Sequence, residues 1–239
     1  MHFRFERVTV EYNGIPALSN LSLEYDGKGA LVLTGPTGAG KTTLLKLFYA
    51  DVIPTSGEVL IDGVATASMK TRTRQMLRRH LGIVQQSCRM VADYTVFENV
   101  LMPFALRGMS KAEAHRQCME LLADMNISYI RNKFPRQLSG GEQHLVALAR
   151  AIAVRPEVII ADEPTGTLDQ TTAADVAAVL LKAVADGIGV VVSTHNPEFA
   201  RAFAGATNIV LSEGTAQIQQ PAAGEPPTQS EPSSSEESL

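Results

Sequence analysis

The sequence runs to 239 residues, 45% of them hydrophobic, with a net charge of −4. That length buries one sizeable core with a small attached subdomain, and no run approaches the roughly eighteen consecutive apolar residues of a membrane-spanning helix. The opening MHFRFERVTVEY mixes charged and apolar residues and lacks the unbroken apolar stretch of a secretory signal, so the expected location is the cytoplasm. Cys88 and Cys118 have no C-x-x-C or Cys/His spacing around them, which speaks against a zinc site or a disulfide framework.

The charge is unevenly placed. Of the 25 acids and 21 bases, four acids (Glu225, Glu231, Glu236, Glu237) and no base lie beyond Gly214. The body is therefore balanced, and without a basic stripe it is not expected to bind nucleic acid, whose affinity rests on neutralising phosphates.

In chain order, the first apolar run is Ala30 to Leu33. The segment GPTGAGKTT follows it and satisfies G-x-x-x-x-G-K-[ST] through Gly35, Gly40, Lys41 and Thr42. Residues Gly35, Pro36, Thr37, Gly38, Ala39 and Gly40 form a loop whose backbone N–H groups can surround phosphates, and Thr43 continues into a helix carrying Leu44, Leu45, Leu47 and Phe48. Lys41 is expected on the β- and γ-phosphates of ATP, and the Thr42 hydroxyl on Mg²⁺.

A helix-rich stretch comes next. Ser110 and Glu113 read as a capping box for a helix over Lys111 to Met125, with Cys118, Leu121, Leu122 and Met125 on its core face. Ser139 and Glu142 repeat the S-x-x-E pattern and open a second helix through Ala153. A second apolar run, Val158 to Ala161, ends in Asp162 and Glu163, and a third, Val190 to Val192, leads to Thr194 and His195. Runs apolar on both faces suit parallel strands covered by helices, and ligands gather beyond the carboxyl ends of such strands. Adjacent acids at a buried strand end are costly without a cation. Asp162 is accordingly expected to hold Mg²⁺ through water, Glu163 to polarise the attacking water, and His195 to contact the γ-phosphate. The final stretch, 219–239, is rich in Pro, Ser and Glu and cannot repay the entropy of ordering; it reads as a disordered tail.

Leu138-Ser139-Gly140-Gly141-Glu142, together with the phosphate loop, resembles the signature of ABC ATPases. The other motifs stand in that family's order: Tyr12, the Walker A loop, a Q-loop glutamine in GIVQQ, LSGGE, the Walker B run VIIADE, the D-loop Thr167-Leu168-Asp169, and the switch histidine in STH. The resemblance implies an α/β fold with a P-loop (RecA-like) core. In it a mostly parallel sheet is joined by an N-terminal antiparallel β part and an inserted helical subdomain over about 88–155, all within a domain spanning 1–218. It also implies that Tyr12 stacks on adenine and that Gln86 reaches Mg²⁺ and the attacking water. Ser139, Gly140, Gly141 and Glu142 would then complete a site on a second copy in a head-to-tail homodimer formed on ATP binding, with Asp169 near the seam. Three local departures are Gln85 where an aromatic is usual, His144-Leu145 after the signature, and Asn196 after the switch histidine.

One cassette, with 98 residues between Lys41 and Ser139, resembles membrane-coupled ATPases rather than soluble types acting on DNA or ribosomes. ADEPTGTLD resembles the branch of FtsE, lipoprotein-release and macrolide-exporter ATPases, and LRRHLGIV, DYTVFENVLMP and FPRQLSGGEQ are most similar to the FtsE family. That likeness implies an integral membrane partner of FtsX type, a role in cell division, and peripheral placement on the inner face of the plasma membrane. A partner groove is expected over Arg89 to Phe104, where Val96, Phe97, Val100 and Met102 cluster; each of the four fits the groove or the subdomain core equally well.

Overall fold

A computed structural model describes residues 1–166 and 168–219; Thr167 of the D-loop and 220–239 lie outside the described residues. Strands β1 (Phe3–Tyr12) and β2 (Ile15–Tyr25) pair antiparallel around Asn13-Gly14. Both turn residues hold positive φ, 53° and 77°, which is the backbone an Asn-Gly hairpin turn demands. β1 alternates buried and exposed positions, so Phe3, Phe5, Val8 and Val10 face inward. β3 (Ala30–Thr34) feeds the phosphate loop and α1 (Lys41–Phe48). β4 (Ser56–Ile61) and β5 (Val64–Ala65) complete an antiparallel sheet of order β2-β1-β4-β5.

The remaining elements are α2 (Thr71–Arg78), β6 (Leu81–Val84), α3 (Val96–Leu106), α4 (Lys111–Asp124), α5 (Gly140–Ala153), β7 (Val158–Asp162), α6 (Gln170–Ala185), β8 (Gly189–Thr194), α7 (Pro197–Arg201), β9 (Thr207–Ser212) and β10 (Thr215–Gln219). The second sheet has the order β10-β9-β3-β8-β7-β6. Its four pairings from β9 to β6 are parallel, and only β10 runs antiparallel, on β9. The three apolar runs are thus adjacent central strands, and β8 is buried at every position.

Two cores flank the parallel sheet. One packs α1 against the antiparallel sheet, where the Phe48 ring lies 5.0 Å from Phe3 and 4.8 Å from Phe5; truncating such an aromatic to Ala costs about 3–5 kcal/mol. The other holds the helices α3, α4, α5 and α6.

Four expectations change here. Val96 and Val100 are fully buried in that helical core and line no groove. With Phe104 they share one face at a spacing of four residues, which leaves Met102 and Leu106 on another. At Ser110 the hydroxyl accepts from the Glu113 amide, but the Glu113 carboxylate turns to Arg116 and Gln117 instead of closing the box. β10 includes Gln219, one residue of the stretch assigned to the tail. Finally, balanced overall charge conceals local crowding: Lys70, Arg72, Arg74, Arg78 and Arg79 flank or lie on α2, a helix with no fully buried residue.

Candidate functional site

The phosphate loop is fastened where β3 ends. Gly35 and Gly40 hold φ of 141° and 99°, and a Cβ at either would collide with a backbone carbonyl, Leu211 O or Ala17 O. Glycine is required by both backbone angle and space. α1 then starts without a side-chain cap or an acid in its first turn, leaving its N-terminal N–H groups and positive dipole end for an anion.

Lys41 is 7% exposed, and its Nζ donates to Gly35 O at 2.8 Å and Pro36 O at 3.1 Å. It also pairs with Glu163 Oε1 at 3.3 Å. The other Glu163 oxygen, Oε2, meets His195 Nδ1 at 2.8 Å and accepts from the His195 amide at 3.3 Å. Lys41, Glu163 and His195, predicted as separate catalytic groups, therefore form one contact chain across the ends of β3, β7 and β8. Glu163 holds φ 46°, a left-handed conformation that costs a side chain about 1–3 kcal/mol. Its amide is anchored by the Ser193 hydroxyl at 3.0 Å and the Ser193 carbonyl at 3.2 Å.

Ser193 was assigned no role by sequence reasoning, yet it is the hub of this end of the sheet. Its hydroxyl donates to Asp162 Oδ1 at 2.7 Å while accepting from the Glu163 amide. The register explains this, since Asp162 lies opposite Ser193 across β7 and β8. The available signal was a small hydroxyl closing an all-valine strand at the level of the paired acids.

Thr42, Gln86 and Asp162 line one cavity of about 320 Å³, together with Tyr49, Gln85 and Ile160. Burial pushes the Tyr49 phenol up to about 12 and a nearby Asp51 adds to the shift, against a hydrogen bond from Gln85. Gln85 and Gln86 are both exposed on the cavity wall. Among the described residues no group of three or more His, Cys, Asp or Glu could hold a metal alone. A hydroxyl, a carboxylate and an amide oxygen around a phosphate-sized space fit Mg²⁺, which takes hard oxygen donors and completes its shell with waters and substrate phosphates.

Tyr12 ends β1 at 46% exposure, opposite Ile15. The hairpin that carries it reaches the loop through Ala17, whose carbonyl abuts Gly40. Pro36, Thr37, Gly38 and Ala39 follow Gly35 in the loop, and the Ala39 amide closes a turn onto Pro36 O at 3.2 Å.

The signature stands apart from this cavity, whose lining includes none of Ser139, Gly140, Gly141 or Glu142. There the capping box is complete: the Glu142 amide donates to Ser139 Oγ at 3.2 Å, and the Ser139 amide to Glu142 Oε2 at 2.7 Å. Lys133 Nζ holds the other Glu142 oxygen at 3.3 Å. Burial works to raise the Glu142 carboxyl, but the hydrogen bonds from Ser139 and Lys133 outweigh it and keep it below its ordinary range. A Cβ on Gly141 would press into the Thr172 side chain of α6, so the signature helix and the helix after the D-loop pack tightly here. Asp169 caps α6 by accepting from the Thr172 amide and hydroxyl, which lowers its carboxyl pKa.

A model of the family described as "ABC transporter" matches residues 18–166. The lipoprotein-releasing system ATP-binding protein LolD 1 of Rhodospirillum rubrum is 38% identical over 204 residues, covering 83% of this chain and 90% of that protein. The cell division ATP-binding protein FtsE of Bacillus subtilis is 37% identical over 186 residues, covering 78% and 82% respectively. The dimeric post-hydrolysis structure of the ATP-binding cassette MJ0796, bound to ADP and Pi, superposes with a TM-score of 0.84 at 32% identity, covering 93% of this chain and 100% of that one. With the motif order and the joined Lys41–Glu163–His195 geometry, these likenesses establish that the chain belongs to the ABC transporter family, as an ATP-hydrolysing cassette of the branch that includes LolD and FtsE.

Proposed function

We propose that this chain converts ATP-driven closure of a homodimer into motion of an integral membrane partner, in the manner of FtsE with a partner of FtsX type. The observation that supports coupling is a shared wall. A groove of about 510 Å³ runs along β6, and Ile83, Val84, Gln85 and Arg89 line both it and the nucleotide cavity. A helix seated in the groove would press on the same segment that carries Gln86. Met102 and Leu106 stand in that groove, Leu106 79% exposed.

Within this reading Lys41 neutralises the β- and γ-phosphates, Thr42 and Asp162 hold Mg²⁺ with Gln86 at its edge, and Tyr12 stacks on adenine. Glu163 polarises the attacking water while His195 orients it. Residues 139–142, remote from the cavity of their own chain, present a helix N-terminus to the γ-phosphate on the second copy, with the Asp169 segment at the seam. The body spans 1–219, with the helices of about 88–155 as its partner-facing subdomain. Such a cassette rests on the inner face of the plasma membrane through its partner and needs no nucleic acid.

Lipoprotein release is a second reading, favoured by the 38% identity to LolD 1 over more of the chain than FtsE matches. Affinity purification from membranes separates them. Recovery of a four-span protein with one modest extracellular domain supports the division pairing, and a partner with a large periplasmic domain transfers the chain to the release branch. Recovery of no membrane protein, with ATPase activity stimulated by DNA or ribosomes, would overturn both.

A further inference from the structure

The groove along β6 is unusual in its charge. Arg78, Arg79, Arg89, Arg107 and Arg150 line it, and among the described residues no Asp or Glu does. Arg78 is committed elsewhere, to Asp51 and to the Tyr49 and Ala50 carbonyls that end α1. The other four form no ion pair with a carboxylate among the described residues. Arg107 donates to Val154 O and Arg150 to Arg89 O, and Arg150 Nε is buried with no partner among the described residues. Four guanidinium groups around an apolar floor of Leu81, Ile83 and Met102 attract carboxylates, because the low dielectric between them strengthens the field.

The same chain carries a matching segment. Residues 220–239 contain Glu225, Glu231, Glu236 and Glu237 and no base, while the rest of the sequence is charge-balanced. β10 delivers this segment at the correct end of the molecule. Gln219 pairs with Asn208 near the start of β9, and the groove begins beside Leu81 at the start of β6, so both lie where the parallel strands begin. The two edges are five strand spacings apart, about 24 Å. An extended chain of twelve residues spans about 40 Å and one of seventeen about 56 Å, so Glu231, Glu236 and Glu237 can reach the groove.

We propose that the acidic segment 220–239 docks in cis on the arginine-lined groove and covers it. Tethering raises the segment's effective concentration at the groove above that of a free competitor. A membrane partner's helix then has to displace it, a consequence that rests on the coupling reading above; the docking itself does not.

Spin labels at Ala105→Cys, exposed on α3 beside the groove, and at Ser234→Cys in the segment test the docking by double electron–electron resonance on the otherwise intact chain. Native Cys88 and Cys118 are buried, and single-label controls at Ala105→Cys and Ser234→Cys show any contribution from them, Cys88 lining the groove itself. The expected result is a short-distance population. It falls at least about fivefold when Glu231, Glu236 and Glu237 are all changed to Gln, and likewise in about 0.5 M NaCl, where screening shortens the reach of charge. A thermal melt equal to the parent's shows that the Gln variant keeps its fold; Arg79→Gln with Arg107→Gln tests the groove side. Equal distance distributions in the parent and the Gln variant would overturn the proposal. Loss of the short distance on tenfold dilution with unlabelled chain would do so too, since a second copy would then be the source of the segment.

Discussion

Around Lys41 the charged groups are buried and bound to one another, whereas around Ser139 they lie nearer the surface and bind their own backbone. The first region spends its charges on a contact chain linking three strands, with Glu163 between Lys41 and His195. The second uses Ser139, Glu142 and Lys133 to fix a helix start and leaves Gly140 open, with only the Leu168 side chain near a Cβ built there. A buried cluster can position a proton acceptor and a cation against a phosphate. An exposed helix start is accessible to a group brought by another molecule. In the proposed function the two regions serve one shared site and have different physical requirements: burial with mutual pairing in one, a rigid and accessible terminus in the other.

The sharpest break of this contrast is Glu163→Gln. The substitution keeps the shape but removes the acceptor, and ATP turnover is expected to fall by about 10²–10⁴-fold, as for loss of a general base. Nucleotide affinity should persist and an ATP-bound dimer accumulate, read by phosphate release and by size-exclusion chromatography with ATP. Ser193→Ala comes next, because it removes one side-chain contact from each of the paired acids. It should lower stability by about 1–3 kcal/mol through a buried group left unpaired, and raise the Mg²⁺ concentration needed for half-maximal activity. Thermal melts and a Mg²⁺ titration measure the two effects.

The signature side is tested by comparing two serines with the same S-x-x-E spacing. Ser139→Ala should cost about 1 kcal/mol and reduce turnover, whereas Ser110→Ala, whose box never closes, should cost no more than about 1 kcal/mol and leave turnover unchanged. The smallest effect concerns pH. Glu142 has a folded-state pKa below its ordinary value, so its contribution is present above that ordinary value and is lost as pH falls through the lower folded one. Hydrogen exchange at the Ser139 amide should stay protected to below the usual carboxylate range and then rise; an increase already near neutral pH would remove Glu142 from the cap.

Much of this was legible in one dimension. The phosphate loop, the paired acids after four apolar residues, and the signature could be read because their chemistry depends on neighbours within a few positions. The Asn13-Gly14 turn belongs to the same class, as a local backbone need met by local residue types. Ser193 could not be read this way, since its partners Asp162 and Glu163 are about thirty residues earlier and meet it only through strand register. The two S-x-x-E boxes illustrate the limit. They are identical in spacing, yet the outcome turned on whether Arg116 or Lys133 stood beside the glutamate. Val96 and Val100 fitted groove and core equally well in the sequence, because apolarity does not say which side of a helix meets the core. The arginines at 78, 79, 89, 107 and 150 are scattered in a chain of balanced charge, and only folding gathers them on one groove. Sequence by itself determined which chemical groups are present and which short-range backbone shapes they need. Tertiary structure alone decided which distant groups share a low-dielectric space, because electrostatic coupling depends on separation in space and not along the chain.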